Sequence, residues 1–174
     1  MGNEKFIFRA RDRAATPEDR TSHPWNPNSE IVGHMLGDRV GLKRIGIHHV
    51  TIPPEKESFV FHSHQTEEEF VFVLSGRAVI EIDDETFELE PGDFVGFPTP
   101  SAAHHIRNPF AEPFTYLTGG ERNELEIADY PRHGRRLVRI GQKLEIYPNS
   151  ARQSFSQAAA ELNARTGPDR GRDR

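Results

Sequence analysis

The chain has 174 residues, enough for one domain with extensions. Its formal net charge of -5 is not the basic surface of a nucleic-acid binder, and the lack of cysteine excludes disulfide staples, thiolate metal sites and cysteine nucleophiles. Hydrophobic residues make up 34% and charged residues 28%, no apolar run approaches a membrane span, and no leader pattern opens the chain, so a cytoplasmic protein with a modest core and no membrane partner is expected.

Residues 1–39 read as an irregular arm, rich in proline and turn formers, that packs on the following domain or on a partner subunit. Trp25 and the run Phe6, Ile7, Phe8 are its apolar anchors. From residue 42 the texture changes to short β-type runs at 42–52, 58–62, 69–76, 77–82, 86–90, 93–97, 103–108 and 114–120. Turn signals at 53–54, 83–84, 90–93 and 98–101 separate them. Many short strands with regular turns predict an antiparallel sandwich or barrel, with no helix of useful length between 42 and 120. Weaker strands are expected at 125–130 and 136–140. Residues 150–165 predict the one good helix, with Ser150 as its cap and Gly167 and Pro168 as its stop. Phe155, Ala158, Ala159 and Leu162 give that helix a narrow apolar stripe, expected to pack on the parent domain. The chain thus divides into an arm at 1–39, a barrel at 40–148, and a helix with its tail at 149–174.

The chemistry concentrates in the segment from His62 to Glu69. Residues i and i+2 of a strand share a face, so His62 and His64 form a pair, and a turn near Gln65 and Thr66 lets them face Glu69 across a hairpin. Glu68 lies on the opposite face and Glu67 in the turn. Two imidazoles and a carboxylate suit a divalent first-row metal, and a fourth ligand should come from another strand. His104 and His105 are available, and adjacent strand residues point to opposite faces, so at most one of the two faces the same interior.

The segment from His62 to Gly76 spells H-x-H-x4-E-x6-G, and Gly92, Pro98, His104 and Asn108 follow in order. Over about residues 42–120 the chain resembles the cupin family, whose two motifs have this order and spacing. The resemblance implies an all-β, antiparallel jelly-roll barrel with an irregular N-terminal arm and a short C-terminal helix. It implies metal ligation by His62, His64, Glu69 and His104, and commonly a homodimer. The chain departs from the motifs at Lys56 and Pro100, where glycines are usual, and has one extra residue before His104. These departures lie in turns.

Such a site binds one divalent transition metal ion, of Mn, Fe, Ni, Co, Cu or Zn. Strand parity puts Val71, Val73, Ala102 and Ile106 around it, an apolar wall suited to a small-molecule ligand. His49 or His48, Tyr116 and Arg44 are candidate polar contacts to a substrate. The functional expectation is a metal-dependent enzyme acting on a small polar metabolite. The chain is similar to short bacterial cupins of the sugar-phosphate-isomerase-like type, and decarboxylase or dioxygenase chemistry also suits the ligands. The alternative is a non-catalytic small-molecule binding or sensor cupin.

Overall fold

The computed structural model describes residues 2–165. Alternating burial along the short strands folds the chain into antiparallel sheets that enclose a main core, with a smaller cluster of Val60, Ala128 and Tyr130 beside it. The strands are β1 (Asp19–Thr21), β2 (Ile31–His34), β3 (Ile45–Ile52), β4 (Ser63–His64), β5 (Glu69–Ser75), β6 (Ala78–Ile82), β7 (Glu85–Leu89) and β8 (Phe94–Phe97). They continue with β9 (His104–Arg107), β10 (Phe114–Glu121), β11 (Leu125–Tyr130), β12 (Arg135–Ile140) and β13 (Lys143–Pro148). A six-stranded sheet has the order β1-β2-β3-β10-β5-β8. A four-stranded sheet, β13-β12-β11-β4, and a three-stranded sheet, β7-β6-β9, complete the barrel. This is the antiparallel barrel expected from the spacing of the runs, and the all-β jelly roll that the resemblance implies.

Core side chains come from both walls. Ile52, Val73 and Phe114 of the large sheet meet Ile80 and Ile106 of the small one. Each such burial contributes roughly 1.5–3 kcal/mol. Gly76 turns β5 into β6 with φ +76°, and a Cβ there would lie 2.2 Å from the Pro113 carbonyl oxygen. Asn108, 1% exposed, donates from Nδ2 to the carbonyls of Ile52 and Glu112 at 3.0 and 2.8 Å and accepts from Phe110 N at 3.1 Å. It pins the loop before β10 to the end of β3.

Several elements differ from expectation. Residues 1–39 are more ordered than an irregular arm: they carry helices α1 (Ala10–Ala15) and α2 (Leu36–Arg39), and β2 extends the large sheet by pairing with β3. Trp25 docks on Tyr130 of the same chain, ring centroids 5.1 Å apart, and Phe8 meets His34 edge-on at 6.0 Å, while Phe6 and Ile7 stay exposed. Residues 58–62 are not a strand. Side chains interrupt their ladder: Ser58 Oγ accepts from Ile106 N at 3.0 Å and Asn26 Nδ2 donates to Phe59 O at 2.8 Å, leaving isolated bridges such as His62 to His104. β13 was not foreseen; it pairs with β12 through a turn at Gly141, φ +57°.

Helix α3 (Phe155–Arg165) starts five residues later than expected. Ser150 sits in a 3-10 turn, and Ser154 is the cap: Gln157 N donates to Ser154 Oγ at 3.2 Å and Ser154 N donates to Gln157 Oε1 at 2.9 Å. The helix fully buries none of its residues, and Phe155, at the head of the stripe, is 91% exposed instead of packed as expected. Gly167 and Pro168 lie outside the described residues. Among those described, no helix is long and apolar enough to cross a membrane.

Candidate metal centre

His62, His64, Glu69 and His104 converge between the two walls of the barrel, with one donor atom of each within 4.8 Å of the others. Trans donors around a first-row ion, with bonds of about 2.1 Å, stand about 4.2 Å apart. Closing on an ion therefore takes only small side-chain movements. His64 and Glu69 do not face each other across a hairpin: β4 pairs with β11, and β5 pairs with β10 and β8. The residues between them carry the chain from one sheet to the other, so the carboxylate approaches the imidazoles from the opposite wall. Of the neighbouring histidines, His104 joins the cluster, while His105 turns away to within 3.4 Å of Glu57.

Each imidazole has its Nδ1 occupied outside the cluster. His62 Nδ1 lies 2.7 Å from Val60 O, His104 Nδ1 lies 3.1 Å from Ala102 O, and His64 Nδ1 lies 3.2 Å from Glu126 Oε1. These acceptors place the ring hydrogen on Nδ1 and leave the Nε2 lone pairs for the interior, the tautomer that metal-ligating histidines hold. Nε2 of both His64 and His104 is 3.3 Å from Glu69 Oε2. The His64 contact lacks hydrogen-bond alignment, so this buried nitrogen is unsatisfied. A buried, unsatisfied nitrogen beside a carboxylate fits a cation between them. Thr118 Oγ1 donates to Glu69 Oε1 at 3.2 Å, and Phe97 stacks on His104 with centroids 3.7 Å apart.

The protonation states follow from the same contacts. Burial, reinforced by His104, holds His62 down to about 3. Burial also opposes charge on His64, yet its hydrogen bond to Glu126 and the nearby Glu69 carboxylate outweigh this and push it up to about 9. Burial raises Glu69, and the close approach of His104 and His64 overcomes it, holding the carboxyl well below the usual range. Without an ion the cluster is one half-buried carboxylate neutralised by imidazole. A divalent cation satisfies the same carboxylate and lets His64 be neutral.

A cavity of about 360 Å³ opens above the cluster. Val71, Ile106 and Ala128 form apolar wall, and His48, Thr118, Tyr116, Tyr130 and Arg122 add polar groups. Among the residues singled out from sequence as substrate contacts, Tyr116, which is 3% exposed, and His48, the alternative to His49, line this cavity. His49 and Arg44 do not line it. On β3 the inward face carries Gly46, His48 and Val50, so His49 points toward the side where α1 lies, and Arg44 is exposed before the strand begins. Burial, then the Arg122 charge, lowers the pKa of His48 and keeps it neutral near pH 7. The basic residue of the mouth is Arg122, whose Nη1 is 2.5 Å from Asp38 Oδ1.

Glu126, Thr118 and Arg122 had not been singled out. Period two offered a signal for Glu126, which falls in phase with the buried Ala128 and Tyr130 of β11. The apolar Leu125 and Ile127 compete for the same inward assignment in sequence.

A jelly-roll barrel with a three-histidine, one-carboxylate cluster between its walls defines the cupin class of protein. Residues 48–119 match the Cupin domain family. The structure also superposes on that of a candidate sugar phosphate isomerase from Acidithiobacillus ferrooxidans, with 34% identity, 88% of this chain and 99% of that one covered, and a TM-score of 0.85. The chain belongs to the cupin family. A cupin-superfamily sugar phosphate isomerase from Silicibacter pomeroyi shares the fold at 24% identity, with 80% and 94% covered and a TM-score of 0.69. An uncharacterized protein of Methanocaldococcus jannaschii is 37% identical over 57 residues, which is 33% of this chain and 45% of that protein.

Proposed function

We propose that the protein is a metal-dependent isomerase of a small polyhydroxylated metabolite, a sugar or sugar phosphate, bound in the barrel interior. His62, His64, Glu69 and His104 would hold one divalent transition metal ion. The observation that carries this reading is the inward set of Nε2 lone pairs converging on Glu69 at the floor of a cavity that also holds a neutral histidine. The similarity to the Acidithiobacillus ferrooxidans protein supports the substrate class. When bound, the ion supplies a Lewis acid for a carbonyl or hydroxyl oxygen pair.

The chain's own residues do the rest. His48, neutral and inside the cavity, takes a proton from the carbon beside the substrate carbonyl and returns it to the neighbouring carbon. Thr118 holds Glu69 in place, and Arg122 faces the polar end of the substrate at the mouth. Val71, Ile106 and Tyr116 exclude water from the reacting atoms. A homodimer suits the half-exposed Phe72 and Leu74 and the exposed Phe94 on the outer face of the large sheet.

The test is a screen of aldoses, ketoses and their phosphates against protein loaded with each first-row metal in turn. The expected result is interconversion that incorporates solvent deuterium at the carbon next to the carbonyl and is lost in His48→Gln with metal content unchanged. Binding of these compounds without turnover by any metal form would favour the sensor reading. Absence of metal uptake would defeat both.

A further inference from the structure

We propose that Glu126 is the positioning residue of this centre: it fixes the aim of one ligand, His64, and the turn that carries the chain from His64 to Glu69. The inference rests on the metal-binding reading above. Glu126 lies on β11, outside residues 48–119 that match the family, and is 3% exposed. A buried carboxylate is costly unless donors surround it. All of its donors come from three consecutive residues. Oε1 accepts from His64 Nδ1 at 3.2 Å and Gln65 N at 3.3 Å, and Oε2 accepts from Thr66 N at 3.2 Å. The Thr66 hydroxyl is also in contact with Oε2, and it lies 2.7 Å from Leu125 O.

His64 needs this partner more than the other two imidazoles do. His62 and His104 each aim Nδ1 at the carbonyl two residues earlier in their own chain segment. The carbonyl two residues before His64 is that of His62, and it already accepts from His104 N at 2.8 Å. Among the described residues, His64 Nδ1 instead meets the carboxylate of a side chain sixty-two positions away. Glu126 also lies near Glu67 and His64 in a second group of potential ligands. Glu67 is committed to Arg139 and to Asn123 N at 2.6 Å, and Glu126 to the turn, so holding the turn and not ligating a second ion is the role these contacts describe.

The experiment compares wild type with Glu126→Gln and Glu126→Ala, using Co(II) as the probe metal. Loss of an outer partner of a ligating histidine typically weakens metal binding by about 10- to 100-fold. The expected order is wild type, then Gln, which keeps one acceptor oxygen, then Ala, with a changed visible spectrum of the cobalt-loaded variants. In metal-free protein, amide exchange of Gln65 and Thr66 should speed up in both variants. Arg136→Gln is the control: it breaks the pair with Asp129 in the same sheet, and should lower stability while leaving the cobalt spectrum as in wild type. Should Glu126→Ala fail to fold, the near-isosteric Gln variant carries the comparison. Wild-type cobalt affinity and spectrum in Glu126→Gln would overturn the proposal. So would a second cobalt equivalent in wild type that the Gln variant lacks. If wild type takes up no cobalt, the metal reading fails by itself, and unchanged exchange at Gln65 and Thr66 would then overturn this proposal too.

Discussion

The two walls of the cavity are built differently. The large sheet supplies Glu69, Thr118 and His48 from β5, β10 and β3, strands of seven or eight residues whose pairing is unbroken beside these side chains, the one register shift lying away from them at Thr115 and Tyr116. The opposite wall supplies three imidazoles from a two-residue strand, an isolated bridge and the first residue of β9. Ladder hydrogen bonds aim the side chains on the first wall. On the second the ladder is too short, and the ring nitrogens are aimed one by one by Val60, Glu126 and Ala102. An ion held by all four residues would tie a rigid wall to a pliable one.

Removing a ligand from the pliable wall is the strongest way to break this arrangement. His62→Ala or His104→Ala should lower metal affinity by more than the roughly 10- to 100-fold that outer hydrogen-bonding partners carry. Far-ultraviolet dichroism should still report the barrel, because the core of Ile52, Val73, Ile80 and Phe114 lies apart from these rings. Elemental analysis of protein purified without added metal is the measurement. Wild-type stoichiometry in His104→Ala would remove His104 from the ligand set.

Metal addition should next stiffen the union of the walls. A ligand that binds only the native state stabilises it by about 2.7 kcal/mol at a free concentration of 100 times Kd. The melting temperature should rise accordingly, and Glu69→Ala, which leaves the ion attached to one wall, should abolish most of the rise. An equal rise in both proteins would show that the ion does not join the walls.

Without metal, the same contacts give a stability optimum near neutral pH. His62 has its folded pKa depressed to about 3 from 6.5, by burial first and His104 second. Its neutral form therefore contributes stability above pH 6.5 that is lost as pH falls toward 3. Glu69, also depressed, adds to the loss on the acid side. His64 has the opposite sign. Its pKa is about 9 despite burial, because Glu126 and Glu69 hold its charged form, so its contribution is complete below pH 6.5 and lost as pH rises through 9. Melting temperatures recorded in chelator across this range should fall on both sides. A curve that rises steadily with pH would contradict the His64 assignment.

The difference between the walls also explains what was legible in the sequence. The barrel could be read because turn spacing and period two carry it, and the cluster because the motif spacing that resembles the cupin family names His62, His64, Glu69 and His104, where parity alone left His104 and His105 open. Parity was ambiguous on β3, where Ile45 and Ile47 favour one face and Val50 and Ile52 the other, so His48 and His49 stayed interchangeable until the outer face was seen to be covered by the N-terminal residues. The contacts of Glu126 and Arg122 were hidden for another reason. Their partners, His64 and Asp38, are 62 and 84 positions away, and no local rule links residues at that distance. The C-terminal helix shows the reverse failure: an amphipathic stripe is a local property, and it forms here without burial.

The smallest expected effect separates support of the rigid wall from mere proximity to the cluster. Thr118 Oγ1 bonds Glu69 Oε1 and also lies 2.9 Å from Phe70 O, so the hydroxyl steadies a carboxylate already fixed by its strand. Thr118→Val keeps the shape and removes the bond, and metal affinity should fall by about tenfold, the lower end of the range for outer partners. Glu68 adjoins Glu69 in sequence but is exposed, outside the ligand cluster. Glu68→Ala should leave affinity unchanged in the same titration. If the two variants behaved alike, the register of β5 would be sufficient to aim Glu69 unaided. A larger loss for Glu68→Ala would mean that the wrong carboxylate of the run had been assigned to the ion.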